Sequence, residues 1–236
     1  MDMKVGIMQP YFFPYIGYFQ LANAVDKFVI YDDIQFSKKG WIQRNRLLMN
    51  NQPTTFSIAL KKDSDYLDII QRELSDNFDR LKLCRQIQGS YRKAPYYDEI
   101  YKLVEDIILC EDNNLFQYIE NSITKLFSIL DIDVELVTSS TLALSRELKS
   151  QERVIHTCVA LGADEYINPP GGVELYTESE FIKKGLKLKF LDPVIESYSQ
   201  SNDSFISHLS IIDVMMWNGL EMTKQMARKN AFIQNS

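Results

Sequence analysis

The sequence predicts an α/β fold: a parallel sheet of about five strands with flanking helices, a single domain over residues 1–236, and a helical insert at about 76–130. Three observations predict it. Short strand-like runs recur at Lys4–Met8, Lys27–Tyr31, Val134–Thr138, Ala163–Ile167 and Leu186–Leu191, the first two apolar, as a buried strand is, and the last alternating. Helical spacing of apolar residues fills much of the chain between them. Of 236 residues, 45% are hydrophobic and 12% aromatic, enough to build a core and too many for a disordered chain.

Lys4–Met8 runs into Gln9-Pro10, where proline ends the ladder, so the first strand is expected to be central. Tyr11–Tyr15 forms a loop, and Ile16–Ala24 carries apolar residues at helical spacing before the second strand, Lys27–Tyr31. Strand, loop, helix and strand within about thirty residues imply a right-handed parallel crossover of Rossmann-like type. Its ligand belongs at the C-terminal ends of the strands. Asp32–Arg46 reads as a polar loop and Thr54–Leu60 alternates like a strand. Asp76–Gln88, Tyr96–Cys110 and Leu115–Leu130 read as helices. Past Val134–Thr138, Ser150–Leu161 is a helix capped by Gly162, Asn168–Gly172 is a turn after the fourth strand, and a further helix closes at Phe181–Gly185. Ile206–Asn218 is an apolar helix at the C-terminal end.

The charge balance narrows the function. With 26 basic and 32 acidic residues the net charge is −6, which argues against general nucleic-acid binding. Cys84, Cys110 and Cys158 have no metal or redox spacing and read as reduced thiols of a cytoplasmic protein. His156 and His208 are isolated in apolar helical text and read as structural, so no metal site is expected. The apolar run Val5–Ala24 is broken by Gln9, Pro10, Pro14 and Gly17, which suits neither a signal peptide nor a membrane span.

Three polar clusters fall at predicted strand ends and are expected to converge on one pocket. The first holds Gln9, Tyr11, Tyr15, Gly17 and Tyr18. Here Gly17 sits in the first turn of a helix, where amide groups favour an anion. Tyr15-Ile16-Gly17-Tyr18 resembles the H-x-G-H signature of the nucleotidylyltransferase superfamily with both histidines replaced by tyrosine. The competing reading is an aromatic packing corner. The second cluster holds Asp32 and Asp33, candidates for an acid, a base or a magnesium ligand, with Gln35, Lys38, Trp41, Arg44, Asn45 and Arg46. Lys38, Arg44 and Arg46 suit a phosphate clamp and Trp41 a stacking surface, although a solvated loop of mutually paired charges fits the same text. In the third, Asn168, Gly171 and Gly172 offer amide donors to a carbonyl or phosphate oxygen, or make a simple turn. Ser210 and Asp213 share one face of the last helix and, if buried, need partners; they are expected to brace the site.

Met8–Gln20, Tyr31–Gln35, Gly40-Trp41-Ile42 with Arg44-Asn45-Arg46, Lys93–Tyr96, Tyr166–Pro169 with Gly171-Gly172, and Leu209–Val214 stand in an order that resembles the WbqC-like protein family across nearly the whole chain. Gln43 and Trp217 depart from the residues expected there, Asn and Phe. The resemblance implies a bacterial cytoplasmic protein of O-antigen and surface-polysaccharide synthesis, some relatives being described as glycine transferases acting on amino sugars. On that footing the expected chemistry is amide formation between an acyl or aminoacyl donor and a nucleotide-linked amino sugar. Asp32 or Asp33 would be the base, Asn168 and the Gly171-Gly172 amides the oxyanion donors, and Lys38, Arg44 and Arg46 the clamp. Trp41 or Tyr11 would stack on base or sugar. Cofactor identity stays open, with no tightly bound metal or organic cofactor expected; ATP with magnesium enters only if the chain makes its own acyl-adenylate. A thioester and a charged tRNA both stay open as donors. The alternatives are a non-catalytic sugar-nucleotide or glycan binder and a nucleotidyltransferase.

Overall fold

The computed structural model describes residues 2–201 and 204–232. Its strands are β1 (Lys4–Met8), β2 (Lys27–Ile30), β3 (Arg44–Met49), β4 (Gln52–Ser57), β5 (Glu135–Thr138), β6 (Glu165–Asn168), β7 (Lys187–Asp192) and β8 (Ala231–Phe232). The main sheet has the order β5-β2-β1-β6-β7-β8. All its pairings are parallel except β7 with β8. The five predicted parallel strands therefore form one Rossmann-like α/β sheet, with β1 at its centre and a short antiparallel edge strand that the sequence pattern did not signal. Strand order reverses at β1: β2 and β5 lie to one side, β6 and β7 to the other. A parallel sheet puts the C-terminal ends of all five strands on one edge, and the crevice at such a reversal is the usual ligand position.

Period-2 alternation sends side chains to two cores. Phe28, Ile30 and Ile167 pack with α1 (Ile16–Asn23), α2 (Arg80–Tyr91), α3 (Tyr97–Ile108), α4 (Leu115–Ile129) and α7 (Ile211–Ala227). Val5, Ile7, Val29, Tyr166, Leu188 and Phe190 pack on the other face with α5 (Ser150–Ala160) and α6 (Glu178–Ile182). The predicted helical insert is α2 to α4. It opens at Asp79, whose carboxylate accepts the Lys82 N–H at 2.7 Å, a capping contact that ends the preceding polar stretch.

Two elements differ from expectation. Arg44–Met49 is not loop but strand β3, paired antiparallel with β4. The two are joined by Asn50-Asn51, with φ of 50° and 59°, the two-residue geometry that asparagine tolerates and that suits hairpin twist. The C-terminal helix starts at Ile211 rather than Ile206 and runs to Ala227, interrupted at Gly219 (φ 71°, ψ 176°). A Cβ on Gly219 would lie 2.6 Å from Tyr96 Cε1. Tyr96 N–H also donates to the Met216 carbonyl at 3.3 Å, so the break seats the start of α3 against α7.

Gly219→Ala is expected to cost about 2 kcal/mol, from the left-handed backbone and the Tyr96 contact together. Gly162→Ala, at φ 69° with open space around it, is expected to cost about 1 kcal/mol or less. Urea unfolding midpoints compare the two; equal losses would sink the packing argument.

Candidate functional site

The loop that leaves β1 enters the protein instead of skirting it. Phe12 and Phe13 are fully buried, and Phe13 adopts φ 46°. Buried backbone must find partners, and two distant segments supply them. From β3, Asn45 Nδ2 donates to the Phe12 and Phe13 carbonyls at 3.3 and 2.7 Å. From α7, Ser210 Oγ donates to the Phe13 carbonyl at 2.9 Å and Ile211 N–H to the Pro14 carbonyl at 2.9 Å. Ser210 N–H donates to the Arg46 carbonyl at 2.9 Å, which closes the junction.

On the outer side of this junction lies a pocket of about 320 Å³, lined by Tyr11, Pro14, Tyr15, Trp41, Asn45, Arg46 and His208. Its walls are aromatic, and among the described residues Arg46 is the one permanent charge of the lining and no carboxylate belongs to it. Trp41 is 41% exposed. The guanidinium carbons of Arg44 and Arg46 each sit 5.5 Å from the Trp41 ring centre, within cation–π range. Arg46 Nη2 donates to the His208 carbonyl at 3.1 Å. Burial pushes the Tyr11 and Tyr15 phenols up from their ordinary value of 10, so both are neutral hydrogen-bonding groups at physiological pH.

The other expected residues are placed as follows. Tyr18 is buried and its hydroxyl donates to the Gln9 carbonyl at 3.1 Å; it is core, and the aromatic packing corner is the reading that fits. Gly17 is covered by the Tyr15 ring, since a Cβ there would lie 2.5 Å from Tyr15 Cε2, so its smallness serves packing and not anion approach. Arg44 is spent on its own turn, donating to the Gly40 and Lys39 carbonyls at 3.0 and 2.6 Å. Lys38 pairs with Asp65, and Gln35 Nε2 donates to the Asp65 carbonyl at 2.8 Å. Of the three-cation clamp, only Arg46 lines the pocket.

Asp32 and Asp33 end β2 beside the end of β5, outside the pocket lining. Asp32 is fully buried. Its Oδ1 accepts from Ser139 Oγ at 2.8 Å and from the Ser140 N–H at 2.9 Å, while Oδ2 has no partner among the described residues. Asp33 contacts the same Ser139 hydroxyl and pairs with Arg153 Nη2 of α5 at 2.5 Å. Asn168, at the end of β6, accepts the Tyr166 hydroxyl at 2.9 Å and donates to the Pro169 carbonyl at 3.2 Å. Gly172 lies so close to it that a Cβ would meet Asn168 Nδ2 at 1.7 Å. The Gly172 N–H donates to the Pro169 carbonyl at 3.1 Å, so that amide and Asn168 hold the turn together, and Gly171 stands exposed beside them.

Asp213 is likewise not in the pocket. Its carboxylate accepts Tyr91 Oη at 2.8 Å, Tyr198 Oη at 2.7 Å and Gln200 Nε2 at 2.8 Å. Burial raises its pKa above 3.8 against the pull of those three bonds. It braces α7 against α2 and the segment before α7. The bracing role expected of Ser210 is that of the Phe13 contact above. His208, read from sequence as structural, lines the pocket. Cys84 and Cys158 are pushed up to about 11 and about 12 by burial, which makes poor nucleophiles of both.

The WbqC-like protein family matches this chain over residues 9–225. The chain is 28% identical over 221 residues to "Uncharacterized protein Rv1507c" of Mycobacterium tuberculosis, covering 92% of this chain and 95% of that protein. No solved structure matches the chain. Among the described residues no helix is long and apolar enough to cross a membrane.

Asp33→Asn leaves the Arg153 guanidinium, itself 8% exposed, without its carboxylate and is expected to cost about 3 kcal/mol. Tyr91→Phe removes a donor to Asp213 and the acceptor of the Leu48 N–H, for about 2 kcal/mol. Chemical denaturation checks both; a loss under 0.5 kcal/mol in either, on the scale of a neutral surface change, would contradict the bonding described.

Proposed function

The chain belongs to the WbqC-like protein family, and from that premise we propose that it transfers an acyl or aminoacyl group, glycyl among them, onto the amine of a nucleotide-linked amino sugar in surface-polysaccharide synthesis. The observation that carries this reading is the pocket after β1, where aromatic walls meet the Arg46 guanidinium and, among the described residues, no carboxylate. Aromatic faces suit a nucleobase or a sugar ring, and a guanidinium suits the oxygens of a diphosphate. The volume, about 320 Å³, lies within the range of small-molecule sites and holds part of a sugar nucleotide, the remainder lying along the exposed Trp41 edge.

Amide formation asks for three things: the amino sugar held in place, a base that takes its proton, and donors for the tetrahedral oxyanion. Arg46, with Tyr11, Tyr15 and Trp41, meets the first. Asp32 and Asp33, at the same sheet edge, are held by Ser139 and Arg153 outside the lining, which leaves the second to the lining itself, and the exposed Gly171 amide is the proposed source of the third. The donor is an acyl thioester or an aminoacyl ester; ATP with magnesium enters only if the chain activates the acid itself. The engagement of Asp33 by Arg153 and Ser139 favours, as a second reading, a protein that binds the sugar nucleotide without turning it over.

Titrating the chain with UDP- and dTDP-linked amino sugars is expected to raise its thermal midpoint, by the equivalent of about 2.7 kcal/mol at a hundredfold excess over Kd. Arg46→Ala is expected to remove the shift, while Lys38→Ala keeps it. A shift that survives Arg46→Ala would move the site elsewhere, and no shift with any of these ligands would sink the sugar-nucleotide reading. Amide product from glycyl thioester then separates a transferase from a binder.

A further inference from the structure

We propose that His208 is the general base of the acyl transfer, an inference that rests on the reading of the pocket as the amino-sugar site. An acid–base group must lie within reach of the proton it moves, and geometry comes before pKa in choosing it. The lining offers few choices. Arg46 is permanently charged. Tyr11 and Tyr15 are driven upward by burial. Asp32 and Asp33 lie outside the lining and are held by Ser139 and Arg153. His208 is the lining side chain with a nitrogen lone pair, and imidazole is the side chain suited to exchanging a proton near neutrality.

His208 is exposed at the pocket wall, and its backbone is held there from both sides. His208 adopts φ 57°, uncommon for a non-glycine residue and a conformation that persists where surrounding structure enforces it. That structure is visible on both sides. The His208 carbonyl accepts Arg46 Nη2, Leu209 is buried, and Ser210 caps α7 while donating its N–H to the Arg46 carbonyl. The ring lies 5.6 Å from that of Tyr15 at an interplanar angle of 30°. Nδ1 is 2.8 Å from Ser207 Oγ. With Nδ1–H donating to that hydroxyl, Nε2 keeps the free lone pair, the tautomer a base needs. Arg46 and His208 thus belong to one wall, so a sugar whose phosphates bind the guanidinium brings its amine beside the imidazole.

The step balances as follows. The amine nitrogen attacks the carbonyl carbon of an acyl thioester or aminoacyl ester, and a C–N bond forms. Nε2 takes the proton that the nitrogen loses. The tetrahedral intermediate collapses by breaking the C–S or C–O bond, and the imidazolium returns the proton to the departing thiolate or alkoxide. The products are amide and free thiol or alcohol, with the base regenerated. No oxidant, reductant or metal enters.

The test uses the full chain, UDP-glucosamine as acceptor and glycyl-coenzyme A as donor. The readouts are acceptor binding by calorimetry, amide product by mass spectrometry, and the His208 imidazole signals by NMR. His208→Asn is the main variant because asparagine tolerates the left-handed backbone, and His208→Ala provides a site for added imidazole. The expected result is acceptor Kd within about twofold of wild type, turnover lower by about a hundredfold or more, partial rescue of His208→Ala by imidazole, and a shift of the His208 signals on UDP-glucosamine binding. Undiminished turnover in His208→Asn overturns the proposal and leaves the transferase reading standing. Acceptor binding without amide from the wild-type chain overturns the transfer and the base role together. No acceptor binding overturns the reading of the pocket, and His208 falls with it.

Discussion

The rest of the structure depends on the need to satisfy the backbone of a loop that is buried. Phe12 and Phe13 reach the core that α1, α4 and the β3–β4 hairpin share, where Phe12 packs against Phe56 and Tyr118 at ring separations of 6.0 and 5.4 Å. Two buried phenylalanines favour this by several kcal/mol of apolar transfer, but the gain stands only if the carbonyls of Phe12, Phe13 and Pro14 are paired. Asn45, Ser210 and the first turn of α7 pair them, and the Phe12 N–H reaches the Ile42 carbonyl at 3.0 Å. Segments some thirty and two hundred residues apart are thereby fixed against the end of β1, and the pocket is the solvent face of that joint. Its rigidity follows from the core and not from the pocket's own residues.

The same accounting explains what the sequence made legible. The central strands β1 and β2 could be read because strands buried on both faces are apolar along their length, as Val5, Ile7, Phe28, Val29 and Ile30 are, and β7 because its exposed and buried residues alternate. Strand β3 could not be read that way. Arg44-Asn45-Arg46 begins it, so its apolar residues are confined to its second half, Leu47-Leu48-Met49, too short a run to signal a strand. The informative signal was Asn50-Asn51, a two-residue turn pair, and not hydrophobicity. The C-terminal helix was placed five residues early because Ile206 continues the apolar pattern, whereas the side chain that starts the helix is Ser210, which caps it.

For the site, polarity at strand ends located the edge but did not separate free groups from committed ones. Lys38, Arg44, Asp33 and Asp213 all carry chemistry in principle. Each is bound to a partner that sequence does not disclose: Asp65, the Gly40 turn, Arg153, and the Tyr91–Tyr198–Gln200 set. His208 is illegible in the sequence for the converse reason. A lone histidine in apolar text is usually structural, and what sets this one apart, a left-handed backbone and a place in the pocket wall, is tertiary. The one local cue was its position two residues before the cap of α7.

Charge then bears on which donor suits the site. The chain as a whole carries −6, while the pocket lining contains Arg46 and, among the described residues, no acid, with Arg44 across the Trp41 ring. At physiological ionic strength the screening length is about 8 Å. The cations at the pocket are Arg46 and Arg44, while the Asp192 carboxylate acts on the lining Tyr15. A polyanion such as tRNA extends far beyond that distance and meets the remaining acidic surface, where it finds no surplus of Lys and Arg from which to release counterions. Local attraction with global repulsion favours small anions over long ones. Under the proposed function, this asymmetry favours a compact thioester over an aminoacyl-tRNA as the acyl donor.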